Sequence, residues 1–75
     1  MKGITVVCVK LIPRGITKCI EHNEASIEEL LSLFQDYLEN STGIIVVVNG
    51  KPVENYNYRV SEKDEVVIVE EFMGG

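Results

Sequence analysis

One stretch of this 75-residue chain repeats its apolar residues at helical spacing, namely Ile27, Leu30, Leu31, Phe34 and Leu38. It opens with Ser26-Ile27-Glu28-Glu29, a capping box in which the serine oxygen and the glutamate three residues on satisfy free backbone donors. Glu28 and Glu29 also sit at the positive end of the helix dipole. Glu28, Ser32, Gln35, Asp36 and Glu39 fall on the opposite face, which suits a solvated surface. Asn40-Ser41-Thr42-Gly43 ends the helix. A single helix covers one face of one sheet, and that bounds every architecture open to the chain. Phe34, in the middle of the stripe, is the expected centre of the core.

The remaining segments read as strands. Ile4 to Ile12 is rich in β-branched residues, Pro13-Arg14-Gly15 is turn chemistry, and Ile16 to His22 completes a hairpin. Ile44 to Val48 is a third strand, followed by Asn49-Gly50, the strongest short hairpin signal available. Lys51-Pro52-Val53 returns as a short edge piece, because proline cannot donate to a ladder. Glu54 to Val60 suits a surface loop or a frayed strand, with Tyr56 and Tyr58 covering the core. Ser61 to Asp64 is a polar turn, and Val66 to Val69 is the last strand. The element order is that of an α+β domain. The third and last strands are apolar at every position, so some of their side chains must face away from the helix. Such a patch marks a protein contact, unless sheet curl and the Glu54–Val60 segment hide it.

Charge narrows the function classes. Twelve acidic and seven basic residues give −5, and the basic ones (Lys2, Lys10, Arg14, Lys18, Lys51, Arg59, Lys63) are scattered. Nucleic-acid binding needs clustered Lys and Arg, so none is expected. The longest strictly apolar run is five residues, against ~20 for a spanning helix, and Ile4 to Val9 is too short for a secretory segment. A soluble cytoplasmic protein without a membrane partner is the expectation. Cys8 and Cys19 fall near opposite positions of the first hairpin, where a cross-strand disulfide is conceivable. In the cytoplasm the preferred reading is two reduced, mostly buried thiols. With His22 they are too few for a four-ligand structural zinc site. Nucleotide-binding loops and catalytic constellations are absent, so the chain is not expected to be an enzyme or to bind a cofactor.

The carboxyl end carries the chemistry. Gly74-Gly75 follows a strong strand after only Glu70, Glu71, Phe72 and Met73. Residues without Cβ let a backbone enter a narrow channel and leave a terminal carboxylate open to attack. The expected organisation is a domain over residues 1–71 and a flexible tail over residues 72–75.

On these residues the chain resembles the ubiquitin-like β-grasp proteins, specifically the sulfur carriers of thiamin and molybdopterin biosynthesis. The likeness is sharpest in Val47-Val48-Asn49-Gly50-Lys51-Pro52-Val53, Lys63-Asp64-Glu65-Val66-Val67-Ile68-Val69 and Phe72-Met73-Gly74-Gly75. Lys63 stands where the carriers usually have a glycine, which implies altered turn geometry. The resemblance implies a mixed four- to five-stranded sheet with one helix, its first and last strands adjacent and parallel at the centre. It implies that an ATP-using, ubiquitin-activating-like enzyme adenylates the Gly75 carboxylate. A persulfide protein then delivers sulfur, and the resulting thiocarboxylate passes to a sulfur-accepting synthase. Gly74 would thread the partner's entry, with Phe72 and Met73 anchoring the tail and ATP held by the partner. The absence of paired prolines before the tail tilts the likeness toward the thiamin carrier. A protein modifier joined through Gly75 to lysines, and a plain binding module using the open apolar face, are the other readings.

Overall fold

The computed structural model describes residues 3–39 and 41–71. Strand β1 (Val7–Ile12) turns through Pro13-Arg14-Gly15 into β2 (Ile16–Ile20). A short β3 (Glu24–Ser26) leads into helix α1 (Ile27–Ser32) and then α2 (Gln35–Leu38). β4 (Gly43–Val48), β5 (Lys51–Val53), β6 (Arg59–Ser61) and β7 (Val66–Glu71) follow. Five strands form a mixed sheet in the order β2-β1-β7-β4-β5, while β3 and β6 pair as a separate two-stranded sheet. β1 and β7 are adjacent and parallel, with Val9 opposite Val66 and Leu11 opposite Ile68. That arrangement matches the expected central pair.

The helical layer buries one sheet face. Val7, Val9 and Leu11 of β1, Val46 and Val48 of β4, and Val66 and Ile68 of β7 meet Ile27, Leu30 and Phe34. Phe34 is fully buried, as its place in the stripe predicts. The capping box forms as read. The Glu29 amide donates to Ser26 Oγ at 3.1 Å, and the Ser26 amide donates to Glu29 Oε1 at 3.1 Å. Glu28, Ser32, Gln35, Asp36 and Glu39 are all exposed.

The single expected helix is divided in two. Ser32 Oγ donates to the Glu29 carbonyl at 2.6 Å, taking the acceptor that the Leu33 amide would use in an unbroken helix. Leu33 and Phe34 instead bond the Leu30 and Leu31 carbonyls, three residues back, and Phe34 leaves helical geometry at φ −111°.

Boundaries shift at both ends of the first hairpin. β1 begins at Val7 and not Ile4, because its partner ends at Ile20, opposite Val7. At that point the His22 amide turns back onto the Ile20 carbonyl. The Asn49-Gly50 hairpin is as expected, with both residues at positive φ (52° and 81°) and Pro52 on the edge strand.

The Glu54–Val60 stretch is an exposed loop running into the short β6, as read, but its tyrosines are placed differently. Val60 is buried, but Tyr56 and Tyr58 are exposed and do not cover the core. Their backbone carbonyls accept from the Glu28 and Ile27 amides at 3.0 Å each, capping free donors of α1.

Candidate functional site at the exit of the last strand

β7 ends at Glu71, where the glycine-bearing segment begins, and three contacts hold that exit. Glu70 points to the covered face, where its fully buried carboxylate accepts from Arg14 Nε at 2.6 Å. Arg14 also lies over the Tyr37 ring, 5.6 Å from its centroid, and donates to the Tyr37 carbonyl at 3.4 Å. The Glu71 carbonyl accepts twice from Thr42, from its amide at 3.0 Å and its hydroxyl at 2.8 Å. Opposite Glu71 stands Gly43, where an added Cβ would lie 3.2 Å from Glu71 Oε1. The last two residues before Phe72 are therefore tied to the turn after β1, to α2 and to the start of β4.

The start of β7 is tied as firmly. Asp64 accepts from the Ser61 amide at 2.8 Å and from Asn49 Nδ2 at 2.9 Å, while Asn49 Oδ1 accepts from the Glu65 amide at 2.9 Å. The Ser61 amide, with the Asn49 side chain, holds the Asp64 carboxyl below its ordinary range. Among the described residues Asn49 is the non-glycine residue with positive φ, so the turn accommodates Lys63 without left-handed backbone. The Glu29 carboxyl is also held low, chiefly by the Ser26 amide.

The face of the sheet turned away from the helices carries the surplus apolar residues. Ile12, Val69 and Ile45 align in register across β1, β7 and β4; Val67, Val47 and Pro52 align across β7, β4 and β5. Ile45 is 43% exposed, and the other strand residues of this strip other than Pro52 are half-buried. Beside it, Ile45, Pro52, Val53, Glu54 and Tyr56 line a groove of about 410 Å³. Glu54 and Tyr56 flank this face but leave Ile45 uncovered.

Two expectations meet the structure differently. Phe72, Met73, Gly74 and Gly75, the predicted site, lie outside the described residues. The cysteines are not reduced and not buried. Cys8 and Cys19 are direct partners in the β1–β2 ladder, joined as a disulfide, and both are exposed on the open face. Strand alternation explains it, since Val7 and Val9 take the core side and send Cys8 outward. The hairpin spacing carries the signal for this pairing, whereas the expectation of reduced thiols follows from the assumed compartment and contains no geometry.

Among the described residues no group of three or more His, Cys, Asp or Glu side chains is placed to hold a metal ion. No helix there is long and apolar enough to cross a membrane. No family model matches the chain, and neither the curated proteins nor the solved structures contain a match.

Proposed function

We propose that the chain is a sulfur carrier whose reactive group is the Gly75 carboxylate, and that its architecture is a ubiquitin-like β-grasp. The observation that carries this reading is the anchorage of Glu70 and Glu71 on a central strand, directly before Phe72-Met73-Gly74-Gly75. A strand fixed by Arg14 and Thr42 presents the residues after it from a defined point, which a partner's narrow channel requires. The parallel β1–β7 pair within a mixed sheet supports the fold assignment.

The chemistry follows from what a carboxylate lacks. Its negative charge resists nucleophiles and it has no leaving group. A cytoplasmic, ubiquitin-activating-like partner supplies both remedies with its own ATP. A Gly75 oxygen attacks the α-phosphorus, pyrophosphate leaves, and an acyl-adenylate forms. A persulfide sulfur then attacks the acyl carbon as AMP departs. A thiol cleaves the resulting S–S bond and leaves the thiocarboxylate for a synthase to use. In this scheme the chain is a cosubstrate and not an enzyme. Phe72 and Met73 anchor at the mouth of the channel, Gly74 passes through it, and the Ile12–Val69–Ile45 row docks on the partner.

The test combines the protein with its activating enzyme, ATP and a persulfide donor and measures intact mass. Exchange of one oxygen for sulfur, located to Gly75 by fragmentation, is expected. Appending one residue after Gly75 abolishes it without changing the circular-dichroism spectrum. Normal activation of the extended chain refutes the proposal.

A further inference from the structure

The Cys8–Cys19 bond lies off the core, so in the folded hairpin it adds no core packing and little register beyond what the ladder already supplies. The two Cα atoms are 4.0 Å apart, and the residues that build the core, Val7, Val9 and Leu11, lie on the other side of the sheet. The hairpin does not depend on the bond for its register. Val7, Val9, Lys10 and Leu11 also have partners on β2, and β1 is held on its far side by β7 from Val9 to Ile12. Among the described residues β2 is an edge strand, with β1 as its one neighbour in the sheet. Cys8 itself lines a shallow open groove of about 280 Å³, with Val9, Lys10, Thr17, Asp64 and Glu65 beside it. Both cysteines are thus exposed on the open face of the sheet, and the ladder register that opposes them runs on through Lys10 and Leu11.

We propose that Cys8–Cys19 is a reversible thiol–disulfide exchange site and that its reaction partner is a dithiol. A thiolate of the dithiol forms a bond to one cysteine sulfur as the Cys8–Cys19 bond breaks, and the electron pair leaves on the other cysteine. The dithiol's second thiolate then attacks its own sulfur in the mixed disulfide and expels the first cysteine. The protein gains two electrons and two protons, and the dithiol becomes a disulfide. The ladder selects for a dithiol. A freed cysteine held opposite its neighbour recaptures any mixed disulfide at high effective concentration, and only a second thiol tethered to the first competes with that return. Reversibility also reconciles an exposed disulfide with a reducing cytoplasm. The proposal does not rest on the Gly75 chemistry, and either can fail alone.

The experiment uses the full wild-type chain in native buffer, treated with dithiothreitol or with 2-mercaptoethanol at matched thiol concentration. Samples are quenched with iodoacetamide and read by intact mass, with circular dichroism on the same samples. Dithiothreitol is expected to give a doubly alkylated, folded protein at a rate within about tenfold of the denatured chain's, since accessibility governs exchange. After the reductant is removed, oxidised glutathione restores the disulfide, and 2-mercaptoethanol is at least about tenfold less effective than dithiothreitol. Reduction only in denaturant, loss of ellipticity on reduction, or equal action of the monothiol overturns the proposal. No variant is needed for the readout.

Discussion

Replacing Phe34 by alanine tests whether the core is organised around the break between the two helices. The ring is fully buried at the junction of α1 and α2, with Tyr37 at 6.3 Å between centroids and Lys18 Nζ 5.8 Å from its centroid. Truncating such a side chain costs about 3–5 kcal/mol in lost burial and residual cavity. For 75 residues, at roughly 0.05–0.15 kcal/mol per residue, total stability is about 4–11 kcal/mol. Opening the Cys8–Cys19 bond, with a sequence separation of 11, costs about 3 kcal/mol through the unfolded chain. The cysteines lie on the open face and Phe34 under the covered one, so the two losses should add. Wild type then stays folded when reduced, Phe34→Ala loses about 3–5 kcal/mol in either redox state, and the reduced variant is the least stable of the four. Urea denaturation followed by circular dichroism, on both proteins in both redox states, gives four midpoints. An unchanged midpoint for oxidised Phe34→Ala refutes the core assignment. A variant midpoint insensitive to reduction refutes the additivity.

Arg14→Ala removes the guanidinium from the buried Glu70 carboxylate and is expected to cost about 1–3 kcal/mol, while Arg14→Met with Glu70→Leu recovers most of it. Thermal melts decide, and a single variant as stable as wild type contradicts the ion pair's role. Glu29 and Asp64 have lowered folded pKa values, so their stabilisation is present above the unfolded carboxylate pKa of about 4 and is lost as pH falls through the folded values. Melting temperature should therefore drop below about pH 4, less steeply in Asp64→Asn and in Glu29→Gln; slopes equal to wild type would exclude these caps as the cause. Phe72→Asp should slow adenylation with an unchanged circular-dichroism spectrum, and unaltered adenylation kinetics would remove the anchor role.

Features set by neighbouring residues were legible in the sequence. The Ser26/Glu29 cap and the Asn49-Gly50 turn need only local chemistry, and both stand as read. The parallel β1–β7 pair is non-local, and the apolar content of the two strands pointed to the sheet centre only together with the family resemblance. What escaped depends on distant partners. Three-residue strands such as Glu24–Ser26 and Arg59–Ser61 carry no alternation of their own and exist because Ala25 and Val60 meet across the fold. The helix break was hidden because Ser32 is a neutral surface residue by pattern and acts through one hydrogen bond to a backbone carbonyl. At the site, the sequence showed the glycines and the surplus apolar face. It did not show that Arg14, 56 residues away, and Thr42 hold the strand that leads to them.

The most direct measurement of the central claim is the mass of the protein as cells make it. Chain recovered from extract without reductant, with its last residues sequenced by fragmentation, should end at Gly75 and include a form carrying sulfur in place of one carboxylate oxygen there. Sulfur located on Cys8 or Cys19, a ladder of conjugates to other proteins, or a chain continuing past Gly75 would contradict it.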